Sequence, residues 1–166
     1  MVDQAFVDRL ALRKARPWDG RRVAHLVREL AGDADDVAVR RRFRRLVLRA
    51  SYHVYLLEDD GDPVAMWIGR EGYFLGADAP FLQMLGYVVR PDLQRQGLGS
   101  LLAFNFLGRI YGHSDFSQFW FITQHEHLHD FYEGFGFQKT GVRFTIHERG
   151  SGKPSIPRRI SRRLGI

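Results

Sequence analysis

The chain of 166 residues contains no cysteine. Disulfide cross-links, thiolate zinc sites and cysteine nucleophiles are therefore excluded together. Long hydrophobic runs are missing as well. Stretches such as Leu98 to Phe104 are broken by Gly99 and Ser100 and fall well short of the ~20 apolar residues of a membrane-spanning helix. The N-terminus has no basic segment followed by an apolar one, and Asp3 and Asp8 stand there. No secretory signal is read from it, and the expected location is the cytoplasm, with no membrane contact. What is present suffices for a core: 45% of residues are hydrophobic and 13% aromatic, in a length typical of one domain. Global disorder is excluded on the same grounds.

The net charge of +6 comes from 25 Lys and Arg against 19 Asp and Glu, and two segments carry it. Arg40 to Arg49 holds six arginines, and Gly150 to Ile166 holds Lys153, Arg158, Arg159, Arg162 and Arg163 without an acid. Charge runs of this kind are ordinarily solvated faces. They also attract polyanions, so a non-enzymatic binder of RNA or a ribosomal surface is one function class to weigh. Phe43 is the only aromatic inside the first patch, and its spacing assigns it to a core stripe. The charge therefore comes without a stacking platform of its own.

Periodicity orders the chain. Leu10 to Lys14 alternates as a strand that ends at Pro17. Asp19 is placed to cap a helix carrying Val23, Leu26, Val27 and Leu30 and stopped by Gly32. A second helix starts near Asp35 with the stripe Val39, Phe43, Leu46 and Val47. Tyr52 to Glu58 and Val64 to Arg70 form a hairpin about Asp59-Asp60-Gly61-Asp62-Pro63. After the loop Glu71 to Pro80, the apolar run Phe81 to Val89 is a buried strand ended by Pro91. Gly97 to Tyr111 is helical, Gln118 to Thr123 a strand, Glu126 to Phe135 a short helix closed by Gly136, and Gln138 to Glu148 a last strand. This order predicts an α/β (α+β) sandwich around a mixed, mostly antiparallel sheet of about six to seven strands flanked by four helices. Residues 1–149 are expected to form the domain and 150–166 a basic tail.

The chemistry concentrates in Val88-Val89-Arg90-Pro91-Asp92-Leu93-Gln94-Arg95-Gln96-Gly97-Leu98-Gly99-Ser100, a strand passing through a tight turn into a helix. Glycines let the backbone approach a phosphate, unpaired N–H groups at a helix start point toward it, and Arg95 adds a cation. The spacing is neither the dinucleotide G-x-G-x-x-G nor a P-loop Gly-Lys-Ser. A competing pattern, His125-Glu126-His127-Leu128-His129, fits H-E-x-x-H, in which His125 and His129 would hold zinc and Glu126 would act as base of a hydrolase. It sits at the start of a short helix rather than within a long one, and only His147 and Glu148 follow as further ligands. No metal is expected on this reading.

The first motif resembles the Gcn5-related N-acetyltransferase (GNAT) family, whose pattern is a strand, Val-x-Pro, then [Gln/Arg]-x-x-Gly-x-[Gly/Ala] and a helix. Val89-x-Pro91 and Gln94-Arg95-Gln96-Gly97-Leu98-Gly99 match it. Phe131-Tyr132-Glu133-Gly134-Phe135-Gly136-Phe137 is similar to the family's Tyr-Glu-x-x-Gly-Phe helix end, and the likeness runs from Leu10 to about Glu148. The resemblance implies an enzyme that transfers the acetyl group of acetyl-CoA to a primary amine by direct attack, the amine itself unspecified. The cofactor-binding set it implies begins with the backbone of Tyr87, Val88 and Val89 for pantetheine. Gln94, Arg95, Gln96, Gly97, Leu98, Gly99 and Ser100 would cradle the pyrophosphate. An N–H near Val88 or Val89 would hold the oxyanion. Tyr132 stands where the family has the tyrosine that protonates the departing thiolate. Seven residues before it, where many members have Asn, stands His125, so one coenzyme contact is altered. The strand carboxylates many members use as base are absent, leaving Glu71, His53, Asp78, Glu126 or a water chain. Asp92 is expected to cap or solvate the turn and His113 to be a loop residue. The first two helices would help to form the acceptor site, and an exposed edge strand would offer a route to a homodimer.

Overall fold

The computed structural model describes residues 4–32, 35–95, 97–99, 102, 116–123, 128–134 and 136–140. The chain divides into two units, residues 1–123 and 124–166. In the first, five strands lie in the order β1-β2-β3-β4-β5: β1 Leu10–Lys14, β2 Tyr52–Asp59, β3 Asp62–Gly72, β4 Phe81–Val89 and β5 Gln118–Phe121. The first four pair antiparallel in sequence order, and β4 pairs β5 in parallel. The sheet is thus mixed and mostly antiparallel, with five strands among the described residues rather than six to seven. Gln138, Lys139 and Thr140 are not in a strand, and the rest of the expected last strand, like the tail 150–166, lies outside the described residues.

Helices α2 (Ala24–Ala31) and α3 (Asp36–Val47) put their apolar stripes on one face of the sheet. Val23, Leu26 and Phe43 meet Val54, Leu56, Met66 and Val88 there. α3 begins near Asp35 as expected, and Asp35 caps it, accepting from the Ala38 N–H at 2.8 Å. Because side chains alternate along a strand, the opposite face carries Leu57, Ala65 and Val89. These pack with Leu98 and Leu102 and with Phe6 of α1 (Gln4–Arg9), a helix that periodicity did not reveal. Gly97 and Leu98 follow the turn, and Leu98, Gly99 and Leu102 are helical, but most of the expected helix to Tyr111 lies outside the described residues. The β2–β3 turn is tight because Asp60 and Gly61 both adopt positive φ, at 47° and 84°. In the second unit, α4 (His129–Glu133) ends in a turn in which Gly136, at φ 84°, donates to the Glu133 carbonyl.

Asp19 does not cap a helix. It lies in a 3-10 turn, Pro17–Arg21, and α2 begins later with Val23 at its cap position. Its carboxylate is turned inward, 1% exposed, where it accepts from the Arg16 N–H and from Arg13 at 2.7 and 3.0 Å. Arg13 also grips the buried Glu58 at 2.6 and 2.7 Å, and Arg22 reaches both acids. Two carboxylates and two guanidiniums therefore form one neutral cluster joining β1, β2 and the 3-10 turn. Burial alone would push the Asp19 carboxyl up. The hydrogen bonds from Arg13 and Arg16 and the charges of Arg13 and Arg22 outweigh it and hold Asp19 below the ordinary carboxylate value.

Removing one member of such a cluster strands buried charge, which costs about 3–5 kcal/mol. Arg13→Ala should lower stability by that amount in urea unfolding at pH 7. Because the folded pKa of Asp19 is depressed, its contribution is present above the ordinary value of 3.8 and is lost as pH falls through the folded value. The deficit of the variant should therefore shrink below about pH 4. A deficit that stays constant down to pH 2 would show that the pairing of Asp19 is not what Arg13 supplies.

Candidate functional site

The site is built on β4. Its pairing with β5 covers only Phe81 to Met84, against Gln118 to Phe121. From Leu85 to Val89, β4 continues along β3 while its other edge has no strand partner among the described residues. The parting coincides with a β-bulge: Ile68 pairs with Gly86 and Gly69 with Met84, so Leu85 is the extra residue. Leu85 is 46% exposed although it sits in an apolar run. The sequence reading took Phe81 to Val89 as one regular strand and missed both features. Gly86, a glycine inside a strand pattern, was the available signal.

Which backbone groups face the open edge follows from the ladder. The Arg90 N–H donates to the Val64 carbonyl at 2.8 Å, and antiparallel alternation then turns the amides of Val88 and Gly86 toward β3. Those of Tyr87 and Val89 point outward, to the edge that β5 has left. The Val89 carbonyl accepts there from Gln94 Nε2 at 2.9 Å. Val88 itself is buried against α2 and α3.

Beyond Val89 the chain makes a second 3-10 turn, Pro91–Leu93. Arg90 braces it, with Nε on Asp92 at 2.8 Å and Nη1 on Asp62 at 2.9 Å. The hydrogen bond to Asp92 keeps the Arg90 guanidinium above its ordinary pKa. Asp92 thus pairs with Arg90 rather than capping the turn. Arg95 then takes φ 60° and Gly97 φ 89°. Left-handed backbone at an arginine is a strained choice, of the sort held in place where backbone amides must converge. The Tyr87 hydroxyl donates to the Gly99 carbonyl, which ties the start of the helix back to β4. Leu98 is fully buried and anchors the turn from below, while Arg95 and Gly97 are exposed. Gln96 and Ser100 lie outside the described residues.

Tyr132 belongs to the second unit, on α4, half-buried with its ring edge-on to Phe137 at 6.2 Å. Burial pushes its phenol above the ordinary value of 10.0, so it is a neutral proton donor at physiological pH. His125, Glu126 and His127 lie outside the described residues, so the H-E-x-x-H letters are represented there by Leu128 and His129. Two of the base candidates are brought together: His53 Nε2 lies 3.2 Å from Glu71 Oε2, and the imidazole packs edge-on against Phe116. A carboxylate can only accept, so Nε2 carries a proton and donates to Glu71. Asp78 is exposed in the loop before β4.

Residues 17–137 match the model of the acetyltransferase (GNAT) family. No curated protein matches the sequence. Among solved structures, an aminoglycoside N-acetyltransferase in complex with CoA is 16% identical with a TM-score of 0.70, over 84% of this chain and 95% of that one. A glucosamine-6-phosphate N-acetyltransferase from Arabidopsis thaliana is 16% identical with a TM-score of 0.68, over 83% and 97%. A GNAT family acetyltransferase from Staphylococcus aureus subsp. aureus USA300_TCH1516 is 13% identical with a TM-score of 0.71, over 84% and 98%. At these identities the likeness is one of fold. The family match itself takes in the bulged strand, the glycine turn and Tyr132 alike, and this chain belongs to the acetyltransferase (GNAT) family.

Proposed function

We propose that the chain transfers the acetyl group of acetyl-CoA to a primary amine by direct attack. The observation that carries this reading is the opening of β4 from β5 beyond Met84, followed by a turn with Arg95 and Gly97 in left-handed backbone. The open edge of β4 beyond Met84 suits an extended, amide-bearing chain such as pantetheine. The turn from Gln94 to Gly99 suits the pyrophosphate, with Arg95 beside it.

In the reaction the amine nitrogen attacks the thioester carbonyl carbon, and charge develops on its oxygen. The outward N–H of Val89 is the donor best turned to meet it, a contribution of a few kcal/mol for a preorganised group. The C–N bond forms, the C–S bond breaks, and the sulfur takes its proton from Tyr132. The surplus proton on nitrogen leaves through a water chain toward His53, whose Nε2 is held by Glu71. The acceptor is set by loops and the first helices, whose residues follow no transferable code.

Thermal unfolding of metal-stripped protein tests the donor half. Acetyl-CoA at 100 times its Kd contributes ~2.7 kcal/mol, which predicts a rise in Tm of roughly 5–10 °C at this size. Zinc should leave Tm unchanged. A rise with zinc and none with acetyl-CoA would move the site to His125, Glu126 and His129.

A further inference from the structure

A second binding surface lies in the first unit, on α3 and the 3-10 turn Pro17–Arg21. The two enclose a cleft of about 840 Å³. They meet closely at its floor, where a Cβ on Gly20 would stand 3.3 Å from Arg40 Cα. One wall is the outer stripe of α3, with Arg40, Arg41, Arg44 and Arg45, and Arg21 faces in from the turn. None of these guanidiniums makes an ion pair with a described residue, although Arg9, Arg28 and Arg90 elsewhere in this unit each do. No carboxylate lines the cleft among the described residues. At its edge stands Trp18, an indole left 70% exposed, with the Arg16 guanidinium 5.8 Å from the ring centre.

The pairing of these features is specific. Guanidiniums without a carboxylate partner among the described residues, set on one rigid wall, want a polyanion, although Arg40 Nε donates to the Asp36 carbonyl at 3.2 Å, and Arg presents a planar fork suited to phosphate oxygens. A large exposed aromatic face beside them wants a flat apolar surface to cover it. Single-stranded nucleic acid supplies both, phosphates at regular intervals and bases free to stack. An acidic peptide answers only the charge. The platform missing from the arginine segment itself is provided across the cleft by Trp18, from a different element. We propose that this cleft binds single-stranded nucleic acid, with Trp18 stacking on a base and Arg21, Arg40, Arg41, Arg44 and Arg45 on the phosphates. This does not depend on the acetyltransferase reading.

The test is fluorescence anisotropy of the full chain with a labelled RNA of about 12 nucleotides without self-complementarity, a length in the range single-strand sites cover. Binding should weaken with salt along a log–log slope of about −2 to −3.5, as for three to five phosphate contacts on a single strand. Unlabelled RNA should quench the Trp18 fluorescence. Trp18→Ala should weaken binding roughly 5- to 100-fold, with Trp18→Phe close to the native affinity. Arg41→Glu with Arg45→Glu should weaken it by more, about 100-fold, and these exposed positions leave folding intact, as Tm would verify. Saturating CoA should leave the affinity unchanged. The proposal is overturned if the double variant binds as well as the native chain, if CoA displaces the RNA, or if polyglutamate of equal charge competes as strongly as RNA. The last outcome would identify an acidic protein partner.

Discussion

Gly97→Val should eliminate the stabilisation by acetyl-CoA, raising its Kd by about 100-fold or more while the Tm of the free protein moves little. The reason lies in the backbone. Gly97 holds φ 89°, a conformation that a β-branched residue enters only at a cost of a kcal/mol or more, so the turn relaxes to a different path. Gly97 is exposed, and the core contact of this segment is made by Leu98, so the relaxation costs ligand rather than fold. A pyrophosphate held by converging amides loses several charge-assisted hydrogen bonds at once when one peptide rotates. Isothermal titration with acetyl-CoA gives the affinity directly, with Arg95→Ala as a milder companion expected to lose the contact of one cation. A Gly97→Val protein that still binds acetyl-CoA within threefold of the native Kd would remove the turn from the binding site.

The legible and the illegible parts of this molecule divide by range. The hairpin around Asp60 and Gly61, the start of α3 near Asp35 and the stripe of Val39 and Phe43 follow local rules, and each appears in place. The motif from Val89 to Gly99 is equally local, since its glycine spacing and its proline describe a turn wherever they occur. What was misread depends on residues far apart in sequence. Asp19 follows a good local capping pattern, yet Arg13 and Arg22, which also hold Glu58, draw its carboxylate inward. The bulge at Leu85 exists only relative to β3, and the parting of β4 from β5 only relative to β5. The contact of His53 with Glu71 comes from the register that sets Tyr52 opposite Arg70 and His53 opposite Gly69. Trp18 carries no local signal, and only the fold sets it beside the arginines of α3. A six-residue helix such as α1 shows too few turns for a period to be seen.

Tyr132→Phe should lower kcat by about 10²- to 10⁴-fold, the usual worth of a positioned general acid, with the affinity for acetyl-CoA unchanged. Phenylalanine keeps the ring and its edge-on contact with Phe137, so packing is preserved and only the proton is removed. The pH dependence separates this role from a structural one. Burial keeps the phenol neutral beyond pH 10.0, so the native enzyme should show no basic limb attributable to Tyr132 below that pH. A departing alkyl thiol has a pKa of about 8.5, and above it the thiolate is itself a stable product. The deficit of Tyr132→Phe should therefore narrow as pH rises past about 8.5. His53→Gln should likewise lower kcat without changing the affinity for acetyl-CoA, because it takes away the ring nitrogen that accepts the proton of the amine. If Tyr132→Phe turns over at the native rate at saturating substrates, the phenol is packing, and the thiolate leaves without an acid. If the deficit is large but flat with pH, the hydroxyl positions the thioester rather than protonating the sulfur.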